Sequence, residues 1–343
     1  MYLLELAGTD DAFAAYEAAS AASRVTVRGG GVATARGITD RVSQLALTHR
    51  VSELLGTTAP DLDSARALLE AVSIDRAGSV AVRARDVRGA TGVSTQAVER
   101  ALGSILVDRG FTVDLDDPDH ELRAVFAGTP STTEWAGDGI EIAPDAGDDG
   151  ICALGWLAVE PERDFTDRAP TDRPFFQPGS MDPALARALV NVAGGRAGVR
   201  ILDPMCGTGG LLLEAGRVGS SVVGVDALEK MVHGTRENVV AARADAFDVC
   251  RGDARRLPFA ADSFDAVVVD APYGRQTKIS AGSLAVLLED ALAEARRVAP
   301  RAVVVGDRPW AAVAREAGWT VSAQFQRRVH RSLDRYVHVL DRS

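Results

Sequence analysis

A glycine-rich turn behind an acidic residue occupies residues 203–210. The letters read Asp-Pro-Met-Cys-Gly-Thr-Gly-Gly, between a predicted strand and a predicted helix. Glycine lets the backbone turn tightly and approach a ligand, because no Cβ stands in the way. A dinucleotide site would need the spacing GxGxxG, and Asp203 at the strand end would repel a pyrophosphate. The motif therefore predicts a ligand with a cationic end, such as S-adenosylmethionine, and a turn without a ligand is the structural alternative.

Two further acids follow the next two predicted strands. Asp226 ends a strand about twenty residues past the glycine turn, where a carboxylate can accept hydrogen bonds from both hydroxyls of a ribose. Its alternative role is to cap a helix at 228–241, although the neighbouring glycine turn favours the ribose. Asp253 follows the third strand and is placed to accept from an adenine amine, with a solvated turn carboxylate as the alternative.

Residues 270–274, Asp-Ala-Pro-Tyr-Gly, follow a fourth predicted strand. A proline–aromatic turn after an acid presents one carboxylate and two backbone carbonyls at the edge of a sheet, and these acceptors suit the hydrogens of an amine. Tyr273 offers a flat face for a base, and stacking contributes about 1–3 kcal/mol per base. An ordinary strand-end turn with a packed tyrosine is the alternative. Beside a methyl-donor site, the motif predicts methylation of an exocyclic amine.

Strict alternation of strands and helices from residue 179 onward predicts the element that positions these residues. Continuous apolar runs are typical of parallel strands buried on both faces, so we expect a doubly wound α/β domain. Two last strands without a helix between them should form an antiparallel pair. The predicted strands are 199–202, 221–225, 247–250, 266–269, 302–305, 321–329 and 335–340.

The preceding half of the chain has a mixed α+β pattern. Residues 1–55 predict strands at 2–6, 25–27 and 32–35 with helices at 11–22 and 39–53. Residues 56–150 predict helices at 62–71 and 95–109 with strands at 79–85, 112–114 and 121–127. Residues 151–178 include four prolines between 161 and 178 and are predicted to be a linker.

Taken together, these motifs resemble class I methyltransferases that methylate amines, whose motif at the fourth strand end is [D/N]PP[Y/F]. Two further segments, 173–181 (RPFFQPGSM) and 329–335 (VHRSLDR), resemble archaeal tRNA guanine-N2 methyltransferases that act at position 10. Residues 96–127, with ERALG and VDLDDPD, resemble the THUMP domain of that family, an RNA-binding module. The resemblance covers most of the chain.

The resemblance implies a fold and a site. The fold is an α/β class I (Rossmann-like) methyltransferase domain at 179–343 with a seven-stranded, mostly parallel sheet, preceded by a ferredoxin-like α+β domain at 1–55 and a THUMP domain at 56–150. The implied residues of the donor site are Pro178, Ser180, Asp203, Cys206, Gly207, Thr208, Gly209, Gly210, Asp226, Ala227, Asp253 and Ala254. The implied catalytic residues are Asp270, Ala271, Pro272 and Tyr273.

One position departs from the family pattern. Ala271 stands where the family has its first proline. Only the backbone carbonyl is implied in binding the amine, so we expect activity to survive with a looser turn. Cys206 is interpreted as a small packing residue, because amine methylation needs no nucleophile.

The implied reaction is methylation or dimethylation of guanine N2 in tRNA with S-adenosylmethionine as donor. The implied partners are tRNA and, as in some relatives, a small zinc-binding activator protein. The alternatives are another tRNA guanine such as one in the acceptor stem, an adenine N6 amine, a glutamine amide, or a non-catalytic RNA-binding protein. The first half of the chain favours RNA over protein as substrate.

The composition is compatible with a cytoplasmic protein. The formal net charge is −10, and Lys230 and Lys278 are the only lysines. This pattern resembles proteins of salt-accumulating organisms, and GC-rich coding bias is the alternative. Three scattered cysteines and five histidines without metal-binding spacing predict neither a disulfide framework nor a metal site. The apolar runs are too short to cross a bilayer, and the start lacks the pattern of a secretory signal.

Overall fold

The computed structural model describes residues 1–7, 10–130, 140–142, 150–242, 246–272, 281–330 and 333–342. They form two compact units, the first comprising the described residues up to Glu162 and the second those from Arg163 onward. Within the described ranges, no helix is both long and apolar enough to cross a membrane.

The first unit is built on a nine-stranded sheet with the strand order β10-β3-β4-β1-β6-β11-β9-β7-β8, and β2 pairs with β5 separately. Its strands are β1 (Tyr2–Leu6), β2 (Ala22–Ser23), β3 (Thr26–Gly29), β4 (Val32–Ala35), β5 (Gly37–Ile38), β6 (Thr48–Thr58), β7 (Ser79–Asp86), β8 (Thr112–Val113), β9 (His120–Ala127), β10 (Glu141–Ile142) and β11 (Ile151–Val159). Its helices are α1 (Asp11–Ala18), α2 (Leu62–Ala71) and α3 (Thr95–Asp108).

The helices of the first unit begin where short polar side chains can cap them. Asp10, Asp61 and Ser94 each accept a hydrogen bond from the backbone N–H three residues later, which satisfies a donor that the first turn leaves free. The predicted helices at 62–71 and 95–109 are confirmed nearly residue for residue. Gly110, at φ +95°, follows the end of α3.

Strand β11 corrects the predicted linker at 151–178. Residues 151–159 pair with β6 on one side and β9 on the other, in antiparallel register. Their run of apolar side chains is buried from Ile151 to Trp156, as in the central strand of a sheet. The two α+β regions predicted at 1–55 and 56–150 therefore share one sheet, which β11 joins.

A second correction concerns the helix predicted at 39–53. A short 3₁₀ helix covers Asp40–Gln44, and β6 begins at Thr48. The tertiary pairing of β6 with both β1 and β11 outweighs the local preference for helix.

A buried ion pair also connects the two halves of the first sheet. Glu5 on β1 is fully buried and accepts from Arg123 on β9, at 2.8 Å to Nε and 3.0 Å to Nη2. Arg85 on β7 contacts the same carboxylate at 3.3 Å. Removing one partner of a buried pair leaves an uncompensated charge, so these residues depend on one another.

The second unit contains a seven-stranded sheet with the order β14-β13-β12-β15-β16-β18-β17. The strands are β12 (Arg200–Asp203), β13 (Ser221–Asp226), β14 (Phe247–Arg251), β15 (Ala266–Asp270), β16 (Arg301–Gly306), β17 (Thr320–His330) and β18 (Leu333–Asp341). The first five strands in this order are parallel, and β18 is antiparallel to both β16 and β17. The predicted doubly wound, mostly parallel sheet is confirmed.

Helices alternate with these strands, namely α4 (Pro183–Val192), α5 (Gly210–Arg217), α6 (Glu229–Ala241), α7 (Ala281–Val298) and α8 (Ala311–Glu316). Leucines 284, 288 and 292 recur at every fourth position of α7 and pack in one core with the valines of β15 and β16. This rigid core fixes the strand ends that carry the candidate site.

Candidate methyl-donor and amine site

The acidic residues predicted for the site follow four neighbouring parallel strands. Asp203, Asp226 and Asp270 are the last residues of β12, β13 and β15, and Asp253 comes two residues after β14. These strands are adjacent in the sheet, so their carboxyl ends meet at one edge. Ligands of open α/β sheets bind at this edge.

Asp203 is the most buried of these acids, with 2% of its surface exposed. Burial raises the pKa of its carboxyl well above the usual range, while the hydrogen bond that Met205 N–H donates at 3.0 Å acts in the opposite direction. The charges of Asp270 and Asp226, at the ends of the two strands that flank β12, raise this pKa further. A cation at this edge would be attracted by all three.

The glycine turn requires backbone conformations that other residues rarely adopt. Gly207 has φ +51° and Gly209 has φ +80°. A Cβ on Gly209 would lie 2.8 Å from Cγ2 of Thr235 on α6, so the helix and the turn approach too closely for a side chain. Gly209 N–H donates to the carbonyl of Cys206 at 2.7 Å, which closes the turn directly before α5.

Asp226 is half-buried and already organises the turn. Its Oδ2 accepts from Gly207 N–H at 3.0 Å, and its Oδ1 accepts from Leu228 N–H at 2.9 Å. The alternative reading as a helix cap is therefore partly realised, because Leu228 directly precedes α6. Burial raises the pKa of Asp226, while the hydrogen bonds from Leu228 and Gly207 act in the opposite direction.

The segment before α4 is tied to the glycine turn through Asn238, a residue that the sequence analysis missed. Its side-chain amide accepts from Phe175 N–H at 2.9 Å and donates to the carbonyls of Phe175 at 2.8 Å and Thr208 at 2.9 Å. The only indication in the sequence is that Thr235 and Asn238 are polar residues three apart on α6, hence on one face. Thr235 donates to the carbonyl of Gly207 at 2.6 Å.

Phe175 lies against the backbone of α6 at Gly234. A Cβ on Gly234 would stand 2.0 Å from Cδ1 of Phe175, so glycine is needed for the ring to pack there. Phe175 therefore packs its segment against α6, whereas Phe176 is 40% exposed. Ser180 lies 3.0 Å from the hydroxyl of Thr208, which adds a second link to the turn.

A cluster of arginines surrounds one buried carboxylate on α5. Glu214 is 1% exposed and pairs with Arg168 at 3.0 Å and Arg187 at 2.9 Å. A third arginine, Arg173, lies near the first residue of α5, because a Cβ on Gly210 would be 3.3 Å from its Nη1. Arg173 is the first residue of the segment 173–181, and the sequence alone assigns it no role.

Other predicted donor-site residues differ in exposure. Asp253 is exposed and pairs with Arg255 at 2.8 Å, which lowers its pKa. Pro178 and Ala227 are exposed, and Ala254 is buried. Cys206 is buried, its Sγ 3.1 Å from where Gly224 would carry a Cβ, and burial raises the pKa of its thiol. A buried, protonated thiol in close packing suits the predicted packing role.

The predicted amine-binding residues are partly described. Asp270 and Pro272 are half-buried, and Ala271 is 1% exposed. Ala271 N–H donates to the carbonyl of Val305 at 2.8 Å, which extends the pairing of β15 with β16 by one residue. Tyr273 lies outside the described residues, as do Lys278 and Arg331.

Comparison with known proteins identifies the family. Residues 170–336 match the UPF0020 family of RMKL-like methyltransferase domains. A tRNA (guanine(10)-N2)-dimethyltransferase of Methanothermobacter thermautotrophicus is 35% identical over 305 residues, which are 87% of this chain and 84% of that protein. A protein of the same name from Pyrococcus abyssi is 31% identical over 316 residues, 87% of this chain and 85% of that one. The chain belongs to the tRNA (guanine(10)-N2)-dimethyltransferase family.

A solved structure agrees with this assignment at the level of the fold. TrmN from Thermus thermophilus aligns over 100% of this chain and 99% of its own, with a TM-score of 0.52 and 24% identity. As a member of the dimethyltransferase family, the protein is an enzyme whose second unit contains a methyltransferase domain.

The donor of this family, S-adenosylmethionine, fits the residues at the sheet edge. It has a sulfonium and an ammonium group, and the site offers three neighbouring carboxyls, of which Asp203 and Asp226 have pKa values raised by burial. A proline at position 271 could not donate the hydrogen bond that Ala271 donates to Val305. Ala271 therefore makes a backbone hydrogen bond that a proline could not make, but it lacks the rigidity of the proline ring.

Proposed function

We propose that this protein transfers methyl groups from S-adenosylmethionine to the N2 amine of the guanine at position 10 of tRNA. The observation that carries the proposal is the row of carboxyls at the ends of β12, β13 and β15, in a chain whose relatives are named tRNA (guanine(10)-N2)-dimethyltransferases. We assign Asp203 and Asp226 to a donor side of the site and Asp270 to an acceptor side.

On the donor side, the chain supplies acidic acceptors and close backbone contact. Asp203 faces the cationic amino-acid end, and Asp226 takes the ribose hydroxyls while its oxygens continue to fix the turn at Gly207. Asp253 accepts from the adenine amine only if it releases Arg255, because the two are paired in the structure. When bound, the donor supplies a methyl group on positively charged sulfur.

On the acceptor side, the amine must be held in line with that methyl group. A guanine amine is inaccessible while the base is paired and stacked, so the base leaves its helix. The Asp270 carboxylate and the Ala271 carbonyl accept the two amine hydrogens, which stabilises the positive charge that develops on nitrogen. The bond from Ala271 N–H to Val305 holds this carbonyl in place, and Tyr273 is proposed as the stacking surface.

The first unit is proposed to bind the RNA. Its sequence resembles a THUMP domain between residues 96 and 127, where α3, β8 and β9 lie. The acidic net charge of −10 weakens any general attraction to phosphate. Binding by this unit therefore depends on shape and on individual arginines.

The decisive experiment combines unmodified tRNA transcript, labelled S-adenosylmethionine and the full-length protein, with digested nucleosides resolved by mass spectrometry. We expect label in N2-methylguanosine and N2,N2-dimethylguanosine. A transcript with guanosine 10 replaced by adenosine is the matched control and should remain unlabelled. Label that persists in this control places the target at another guanine, and label in N6-methyladenosine would refute the assignment to guanine.

A further inference from the structure

Arg173 is a cation near the glycine turn, and its Nη1 has no hydrogen-bond partner within the part of the chain that the structure describes. Its neighbours Arg168 and Arg187 share the carboxylate of Glu214, at 3.0 Å and 2.9 Å. Among the described residues, no carboxylate lies within salt-bridge distance of the guanidinium of Arg173. Three arginines around one glutamate leave this side of the site with an excess of positive charge.

The guanidinium of Arg173 is held against the start of α5. Its Nη1 is shielded from solvent and makes no hydrogen bond. The same atom lies 3.3 Å from the Cβ position of Gly210, the first residue of α5, and the N-cap residue Gly209 makes no side-chain hydrogen bond to this helix start. Burial lowers the pKa of Arg173, and Glu214 opposes this change. A buried donor without a partner costs about 1–3 kcal/mol, which an anionic ligand would recover.

The charges of the site are thus divided between two places. The strand ends are acidic, with Asp203, Asp226 and Asp270, whereas the start of α5 is basic because of Arg173. A phosphate would be repelled by the three carboxyls, whereas an amino acid presents an ammonium and a carboxylate on the same carbon atom. This pattern matches the methionine part of the donor, and it does not match a purely anionic ligand.

We propose that Arg173 binds the carboxylate of the methionine moiety of S-adenosylmethionine, opposite the carboxyl of Asp203. The proposal rests on the proposed function and assigns one further residue to its donor site. The guanidinium donates two parallel hydrogen bonds to that carboxylate, a geometry that arginine provides and lysine does not.

The test compares two donors that differ only in this carboxylate. Affinities for S-adenosylmethionine and for decarboxylated S-adenosylmethionine are measured by calorimetry on the full-length wild type, Arg173→Gln and Arg173→Lys. Arg217→Gln is the matched control, since Arg217 also lies on the α5 side but is 41% exposed and only loosely paired with Asp164 at 3.7 Å. Thermal unfolding without ligand checks that each variant is folded.

We expect Arg173→Gln to weaken binding of S-adenosylmethionine by about 10- to 100-fold and to leave binding of the decarboxylated donor unchanged. The affinity of Arg173→Lys for S-adenosylmethionine should lie between those of the wild type and Arg173→Gln. Arg217→Gln should bind both donors as the wild type does. Equal losses for both donors would make Arg173 merely structural and overturn the proposal, as would no loss for either. If Arg173→Gln does not fold, equal affinity of the wild type for both donors overturns it.

If the proposed function itself is wrong, the same binding measurements give a different result. A wild type that binds neither S-adenosylmethionine nor S-adenosylhomocysteine refutes the donor site as a whole and with it the role of Arg173. Weaker tRNA binding by Arg173→Gln with unchanged donor affinity would instead place a phosphate of the RNA on this arginine. That outcome overturns the present proposal and leaves the proposed function intact.

Discussion

At the scale of single residues, Asp203 is held in an environment that opposes its own ionisation. Its folded pKa is raised by burial, so the folded state binds this proton more tightly than the unfolded state does. The free energy of unfolding therefore falls as the pH rises from about 4 through the raised pKa, by up to about 1.4 kcal/mol per pH unit. A bound cationic donor would stabilise the ionised carboxylate of Asp203 and so offset this loss of stability.

Asp203→Asn should accordingly stabilise the protein without ligand at pH 7 and abolish most donor binding. The amide oxygen can still accept from Met205 N–H, so the turn is preserved. Thermal unfolding between pH 3 and pH 8 measures the effect, and the two proteins should converge below about pH 4, where the wild-type carboxyl is protonated in both states. A variant less stable than the wild type at pH 7 would contradict this account of Asp203.

Substitution of Asp270 should slow methyl transfer without changing the affinity for the donor. Asp270→Asn removes the charge that stabilises the developing cation, so we expect the rate of methyl transfer to tRNA to fall about 10²- to 10³-fold. Single-turnover kinetics measure the rate, and calorimetry with S-adenosylhomocysteine checks that donor affinity is kept. Near-normal turnover by the folded variant would exclude Asp270 from the chemical step.

At the scale of elements, the packing of Phe175 on α6 positions the segment in front of the site. Gly234→Ala places a methyl group 2.0 Å from the ring carbon Cδ1, so the ring and its segment must move. We expect weaker binding of S-adenosylhomocysteine and a lower midpoint of thermal unfolding. A glycine in a helix otherwise costs about 1 kcal/mol relative to alanine, so the local preference alone would give a gain in stability.

Gly103 provides the matched control for this substitution. It lies within α3, and a Cβ there would have no atom within 4 Å. Gly103→Ala should therefore stabilise the protein by about 0.5–1 kcal/mol and leave donor affinity unchanged. Similar effects of the two substitutions would show that Phe175 does not depend on the space at Gly234.

The junction of α8 with β18 should respond to pH. His338 is fully buried, its pKa is lowered from 6.5 to about 4 by burial, and its Nε2 accepts from Trp310 N–H at 3.1 Å. Because the unfolded chain binds a proton below pH 6.5 and the folded chain does not, stability is lost as the pH falls from 6.5 towards 4. His338→Gln should lose less stability in this window, as measured by chemical denaturation, and parallel curves would contradict the prediction.

Much of the second unit follows from the sequence, whereas in the first unit the helices 62–71 and 95–108 follow but the shared sheet does not. Parallel strands such as 266–269 are short continuous apolar runs between turn residues, so the local sequence predicts each strand. The position of the acidic residue at the end of the strand is predicted with it. The pairing of 151–159 between β6 and β9 depends on partners far away in the sequence, and no local pattern contains that information. Asn238 and Arg173 were missed for the same reason, because their roles arise from contacts across the fold.

At the scale of the whole molecule, the two units should be separable. Residues 163–343 contain the complete seven-stranded sheet, and residues 1–162 contain the nine-stranded one. We expect the 163–343 fragment to fold and bind S-adenosylhomocysteine like the intact protein, but to methylate tRNA more slowly because it lacks the proposed RNA-binding unit. Calorimetry and the tRNA assay measure both properties, and a fragment as active as the full chain would exclude an RNA-binding role for residues 1–162.

A cut at the predicted boundary near residue 55 should give a different result. It divides β6, which pairs with β1 on one side and with β11 on the other. Neither the 1–55 fragment nor the 56–343 fragment should show a cooperative first unit in thermal unfolding, because each exposes unpaired strand edges. A soluble, cooperatively folded 1–55 fragment would contradict the single-sheet description.

The position of β11 has a consequence for the order of events on the ribosome. The strands β1, β3, β4 and β6 precede it in the chain, as do β7, β8 and β9, and among the described strands β11 is the one that pairs with both groups. Nascent chains shorter than about 160 residues outside the exit tunnel hold two unfinished sheets with open edges at β6 and β9. The arrival of the last strand of the first unit is therefore the step at which this half of the protein becomes protected from aggregation during its synthesis.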